Sequence, residues 1–222
     1  MRELICGIDE AGRGPVIGPL VIGCVVLDSE GSKKLRNLSV RDSKKVPRDK
    51  RAELEPIIKE TAVEWSLIKI SPGEIDLLRQ KHSLNLIEAM KTAEMVLSLE
   101  CTPTKIIVDA ADPVAEDYRQ RIISCLTSGN EDFTIPEIVS EHKADDRYVE
   151  VSAASILAKV ERDRDIEKLK MIHGELGSGY PSDEVTMGFL KELIKSGCEL
   201  PSYVRRSWNT VERSKQSSLF DF

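Results

Sequence analysis

Four acidic residues in this 222-residue chain stand where they could do joint chemistry. Asp9 and Glu10 close an apolar run that begins near Glu3 (ELICGID), and Asp109 closes another, Ile106-Ile107-Val108. Asp145 follows His142-Lys143-Ala144 and precedes a long helical stretch. Carboxylates at the ends of neighbouring strands would meet at one sheet edge, where α/β folds place their sites. Gathered there they repel one another and need cations. All-oxygen ligands favour a hard ion, Mg²⁺ or Mn²⁺. Two such ions about 4 Å apart suit phosphodiester hydrolysis, one activating water and the other stabilising the leaving oxygen. Against this, a single Asp after a strand is more often a turn or cap residue. Asp112 and Asp146 read that way, and Asp163 reads as a helical ion-pair partner. Because successive strand side chains face opposite ways, Asp9 and Glu10 share a site only if the chain turns there. Gly12 and Gly14 allow that turn.

Gly12-Arg13-Gly14-Pro15 follows at once. Its glycines let the backbone approach a ligand, and Arg13 offers a phosphate-facing cation. A bare Gly-x-Gly usually makes only a turn, so its position after Asp9-Glu10 is what informs. The net charge of −6 weighs against a nucleic-acid partner, but its distribution does not. From Ser32 to Arg51 nine basic residues face only Asp42 and Asp49, giving +7 there and −13 elsewhere. Such a run is either a solvated helix face or a phosphate-binding one.

Five cysteines with no Cys-x-x-Cys pair, and three scattered histidines, argue against a disulfide framework and a zinc site. A reducing, cytoplasmic setting is expected. No apolar run approaches the ~20 residues of a membrane span, and the first residues carry no signal-peptide core. Neither membrane association nor export is expected.

Strands are expected over Glu3–Asp9, Leu20–Leu27, 63–70, Lys105–Asp109 and Phe133–Ser140, from short apolar or alternating runs. Helices are expected after Pro47, over 83–99, 113–127, Val151–Met171 and 183–196, the last ended by Gly197. This order gives an α/β sheet whose first half is an antiparallel meander and whose second half is parallel. Strand signals fade beyond about residue 174. The expected organisation is a catalytic domain over 1–173, a small helical appendage over 174–213 and a flexible tail over 214–222. With no self-complementary apolar stripe in view, a monomer is expected.

Together these segments resemble type 2 ribonuclease H (ribonuclease HII), in its archaeal form. Gly7-Ile8-Asp9-Glu10-Ala11-Gly12-Arg13-Gly14-Pro15 looks like that family's signature, and Arg41-Asp42-Ser43-Lys44-Lys45 resembles its Asp-Ser-Lys segment. Asp109 falls where the third carboxylate is expected. His142-Lys143-Ala144-Asp145 and Val151 to Val160 resemble a later block, and Gly177 to Asp183 the next, so the likeness runs over about residues 4 to 210. Tyr148-Val149 departs from the Tyr-Pro that archaeal members often show.

The resemblance implies a ribonuclease-H-like fold, a mixed five-stranded sheet flanked by helices with the C-terminal appendage. It implies that Asp9, Glu10, Asp109 and Asp145 hold the catalytic metal ions. Gly12, Arg13 and Gly14 would read a 2′-hydroxyl, the group that separates RNA from DNA. Tyr180, by itself an ordinary half-buried tyrosine, would stack on the sugar at an RNA-to-DNA junction. Lys44 and Lys143 would meet phosphates, and Arg205 and Arg206 would contact the DNA strand, beside the alternative that Trp208 packs there as a helix cap. The implied reaction is metal-dependent hydrolysis 5′ of a ribonucleotide, in RNA–DNA hybrids or at single ribonucleotides in duplex DNA. The products would be 3′-hydroxyl and 5′-phosphate.

The end of the chain, Gln216-Ser217-Ser218-Leu219-Phe220-Asp221-Phe222, resembles a sliding-clamp binding peptide. Gln216 would bond a small pocket, while Leu219 and Phe222, three apart, would fill an apolar one. The usual second aromatic at its end is absent. Competing with the ribonuclease are another metal-dependent nuclease or recombinase of this fold class, and a clamp-binding hybrid reader without catalysis.

Overall fold

A computed structural model describes residues 3–38, 40, 46–128 and 134–219, with backbone alone for 217–219. Five strands, β1 (Ile5–Ala11), β2 (Leu20–Leu27), β3 (Glu64–Ile70), β4 (Lys105–Asp109) and β5 (Glu137–Glu141), form one sheet ordered β3-β2-β1-β4-β5. β1 pairs antiparallel with β2 and parallel with β4, and β4 runs parallel to β5. The expected mixed α/β sheet is therefore present, with β1 as its central strand. Among the described residues the helices are α1 (Ser29–Asn37), α2 (Arg48–Thr61), α3 (Pro72–Leu78), α4 (Leu84–Leu97), α5 (Ala115–Thr127), α6 (Ala144–Arg147), α7 (Val149–His173), α8 (Glu184–Lys195) and α9 (Asn209–Leu219).

Several boundaries differ from the sequence expectation, each for a local reason. β1 does not stop at Asp9: Glu10 and Ala11 stay in register with Ile22 and Val21 of β2. β5 begins only at Glu137, because Pro136 before it lacks the N–H a ladder needs; Phe133 lies outside the described residues. Pro47 is the N-cap of α2 rather than part of its first turn. Two short helices escape a periodicity search because their starts are set by caps. Asp28 accepts the Gly31 N–H at 2.7 Å to open α1, and Ser71 accepts from Glu74 to open α3, whose first residue is Pro72. Helix α9 reaches Leu219, into the stretch expected to form a tail, anchored by the buried Val211.

The chain divides into two compact units built from non-contiguous segments. The first takes residues Met1–Ala11, Val21–Ile68 and Ser83–Val160. In its core, Val25 and Leu27 of β2 meet Leu35 of α1, Leu54 and Ile58 of α2, and Ile156 and Leu157 of α7. The first ten residues of α7, Val149 to Ala158, are all buried, which explains why all but Glu150 are small or apolar; Glu150 accepts from Ser32 Oγ at 2.5 Å. The second unit takes Gly12–Leu20, Lys69–His82 and Glu161–Phe222, around a core of Val16, Ile17, Ile166, Leu176, Leu190 and Val204.

The approach of α7 to the central strand rests on Gly7. A Cβ there would lie 2.1 Å from the backbone carbon of Glu150 and 2.3 Å from the Val151 nitrogen. The helix backbone cannot yield as a flexible side chain would, so overpacking here costs at least about 1–3 kcal/mol. Gly7→Ala is expected to lower the melting temperature by roughly 5 °C or more at this chain size. Gly73→Ala in α3, where a Cβ meets nothing within 4 Å, should leave it unchanged or raise it. Thermal unfolding of the two variants decides; equal effects would refute the close-approach argument.

Candidate active site

The parallel register of β1 and β4 sets the site. Ile8 lies opposite Val108, so Asp9 and Asp109 occupy the next position on adjacent strands, whose backbones run about 4.8 Å apart. Asp9 is 5% exposed, and its Oδ1 accepts the Glu10 N–H at 2.7 Å. Burial pushes the Asp9 carboxyl well above the usual range, and the charges of Glu10 and Asp109 push the same way. A hydrogen bond from Ser155 and the charge of Lys159 pull it back. Lys159 Nζ in turn donates to Ser155 Oγ at 2.7 Å, one helical turn away on α7.

Asp145 reaches this edge through a short detour. After β5, Lys143 takes a left-handed conformation at φ 58°, uncommon without glycine. The chain then enters α6, and the Ala144 N–H donates to Asp109 Oδ1 at 2.9 Å. Asp145 follows, 1% exposed. The Lys143 side chain is exposed. Glu141, opposite Asp109 in register, is engaged by Arg147 at 2.6 Å and by the Tyr148 hydroxyl at 3.2 Å. Nearby, buried Asp112 takes side-chain partners in place of the expected turn role: it accepts from Asn85 and pairs with Arg121 at 3.0 Å.

The four carboxylates thus belong to the first unit, three of them electrostatically linked through Asp9. Glu10 and Ala11 continue β1 in register with β2, so the turn expected after the two acids begins at Gly12. Among the described residues, no three His, Cys, Asp or Glu side chains converge at the spacing of a single ion's ligands. The donor set nevertheless fits a hard cation: all oxygen, partly buried, with Glu10 and Asp109 raising the cost of ionising Asp9.

The second unit holds the glycine turn. Gly12 has φ 86°, and a Cβ there would meet Pro19 O and the Arg162 side chain at 2.6 Å. Gly14 is exposed, its Cβ position 3.7 Å from the Tyr180 ring. The sequence motif and Tyr180 are therefore neighbours. Arg162, 6% exposed, packs its guanidinium 4.8 Å from that ring and donates to Ser178 O at 2.7 Å. Its burial lowers its pKa from the usual arginine value. The Tyr180 loop is fixed further by Thr186, which accepts from the Gly179 N–H, and by Gly179 O, which accepts from Val16.

Arg205 requires a correction. It is fully buried and donates to the carbonyls of Gly12, Arg13 and Gly18, so it supports the turn and cannot reach a DNA strand. Arg206 is exposed, with its guanidinium held by Glu199 and Leu200 O. Lys44 and Phe222 lie outside the described residues, Gln216 is exposed on α9, and Leu219 is described in its backbone alone. Sequence reasoning missed Ser155, Lys159 and Arg162. The first two share a helix face at i, i+4 spacing, which is the signal that could have found them; Arg162, lying among alternating charges, reads as surface.

Comparison with known proteins fits this geometry. The family model described as Ribonuclease HII matches residues 6–211. A curated ribonuclease HII of Thermococcus sibiricus is 42% identical, over 97% of this chain and 96% of that protein. The crystal structure of ribonuclease H2 from Pyrococcus horikoshii superposes with a TM-score of 0.86 at 42% identity, covering 96% of this chain and 98% of that one. The structure of a PCNA–ribonuclease HII complex from Archaeoglobus fulgidus gives 0.82 at 40% identity, covering 93% and 95%.

The raised Asp9 has a consequence for stability. Its folded state holds a proton that the unfolded chain releases at ordinary carboxylate pH. Stability therefore falls as pH rises from that range toward the raised folded value. In chelator at neutral pH, Asp9→Asn should melt above the parent, by about 2–4 °C per kcal/mol of penalty removed. The gap should close as pH drops toward 4. An Asn variant that melts below the parent throughout would refute this.

Proposed function

The chain belongs to the ribonuclease HII family, whose members are nucleases that hydrolyse RNA paired to DNA, and from that premise we propose a specific reaction. The protein cuts the RNA strand of RNA–DNA hybrids and nicks duplex DNA 5′ of single embedded ribonucleotides, leaving 3′-hydroxyl and 5′-phosphate ends. The observation that carries this is the Asp9 carboxyl, buried near the end of β1 between the charges of Glu10 and Asp109. A fold tolerates such repulsion where cations and phosphate are to be handled.

Asp9, Glu10, Asp109 and Asp145 are the residues to hold Mg²⁺ or Mn²⁺, two ions per site during catalysis. When bound, such ions supply an acidified water and a countercharge for the leaving oxygen. The protein's part is to place the carboxylates. Ala144 N–H holds Asp109, and Ser155 and Lys159 orient Asp9 from α7. Water is the nucleophile, and no covalent enzyme intermediate is needed.

Selection of the ribonucleotide falls to Gly12, Arg13 and Gly14, with Tyr180 beside Gly14 as the face for a sugar. A 2′-hydroxyl can bond to the turn backbone where a Cβ would obstruct it. Lys143, Lys44 and Arg206 are assigned to phosphates. The exposed Gln216, with Leu219 and Phe222, is assigned to a sliding clamp, a reading supported by the PCNA complex of the Archaeoglobus relative. The protein acts as a cytoplasmic monomer. No helix among the described residues is long and apolar enough to cross a membrane.

Two labelled duplexes of one sequence test the reaction, one all DNA and the other with a single internal ribonucleotide, each in Mg²⁺, Mn²⁺ or EDTA. The expected result is a metal-dependent nick 5′ of the ribonucleotide, lost by at least a hundredfold in Asp109→Asn and Asp145→Asn. Cleavage of both duplexes would indicate a general nuclease, and no cleavage a hybrid reader. Deleting 216–222 should abolish retention on immobilised clamp while cleavage of short duplexes continues; retained binding would remove the tail assignment.

A further inference from the structure

We infer that Arg205 and Trp208 are positioning residues for ribonucleotide selection: together they lock the peptide planes of the Gly12-Arg13-Gly14 turn so that the Gly14 N–H is presented to a 2′-hydroxyl. This rests on the assignment of that turn to hydroxyl reading.

The carbonyls of all three turn residues are tied. Arg205 Nη2 donates to Gly12 O at 2.6 Å and Nη1 to Arg13 O at 3.0 Å, while its Nε holds Gly18 O at 3.0 Å. Trp208 Nε1 donates to Gly14 O at 3.3 Å. In a trans peptide the C=O and N–H point opposite ways, and the chain has no cis peptide bonds. Fixing Arg13 O therefore aims the Gly14 N–H away from the guanidinium. The next peptide offers no competing donor, because residue 15 is proline. Gly14 lies against the Tyr180 ring, so this N–H and the proposed sugar platform belong to one local surface.

The support is itself rigid. The Arg205 guanidinium lies 4.9 Å from the Trp208 ring, and Arg79 lies 4.8 Å from the same ring. Asp76 accepts from the N–H groups of Arg206 and Ser207 and from the Ser207 hydroxyl, fixing the residues between the two anchors. Arg205 N–H also donates to Val16 O at 2.8 Å, and Gly18 N–H to Tyr203 O at 2.9 Å. A guanidinium serves three carbonyls at once because its donors form a planar fork. Lysine would keep the charge and lose the fork. A fully buried cation is expensive to maintain for packing alone, and here the guanidinium bonds three carbonyls of one loop.

The test uses the full-length protein with Mg²⁺. KM is measured on the duplex with one ribonucleotide, and Ki for the all-DNA duplex as a competitor. In the parent, KM lies well below Ki. Arg205→Lys should raise KM at least tenfold toward Ki with Ki itself unchanged, and Trp208→Phe should move the same ratio by about two- to threefold. A merely structural role would reduce the active fraction, and hence kcat, leaving the ratio of KM to Ki in place. That outcome in a folded Arg205→Lys overturns the inference. Should Arg205→Lys not fold, Trp208→Phe decides alone, and an unchanged ratio there overturns it. A parent whose KM equals Ki would instead overturn the hydroxyl-reading assignment beneath it.

Discussion

Like charge held close together is the constraint on which the first unit depends. Parallel pairing of β1 with β4 puts Asp9 and Asp109 at one sheet edge, and Glu10 adds a third charge within the same strand. Much nearby sequence manages that repulsion. Gly7 admits the backbone of α7, which brings Ser155 and Lys159 to Asp9. Lys143 accepts a left-handed conformation that delivers the Ala144 N–H to Asp109. These features would be gratuitous in a sheet whose only task was to fold.

The second unit has the opposite electrostatics. It buries two guanidiniums, Arg162 and Arg205, around the glycine turn and its tyrosine. Both donate to backbone carbonyls, Arg162 to Ser178 O and Arg205 to Gly12, Arg13 and Gly18 O, so the positive charge is spread into the loops. The chain's net charge of −6 conceals this division. Asp9, Glu10 and Asp109 gather on adjacent strands at one place, and the buried arginines stiffen backbone at another. Ala11 and Gly12 are consecutive, so the sequence passes directly from one kind of chemistry to the other.

How much of this was legible depended on whether a residue's role was local. Asp109 could be found because an acid after three apolar residues marks a strand end. Gly12 and Gly14 could be found because turns announce themselves. The continuation of β1 through Ala11 could not, since it depends on register with Ile22 and Val21 of β2. Arg205 reads as surface beside Arg206, and only the tertiary fold shows that one is buried and the other exposed. Helix α6 has four residues and no periodicity to detect. Its existence follows from the cap at Lys143 and the bond to Asp109, both set at long range.

The central position of β1 also fixes how much of the chain must be present before its surroundings are complete. The strand pairs with β2 across a short stretch of chain, yet its other neighbour is supplied only by residues Lys105–Asp109. The turn that follows it waits longer still, because the bond from Arg205 to Gly18 spans 187 residues. Contacts so distant in sequence form late, and a chain folds from its N-terminus as it is made. An interrupted product therefore carries Asp9, Glu10 and the glycine turn without the partners that align them. Alignment of the two acids and of the glycine turn is thus a property of the long-range fold and not of the segment that carries them.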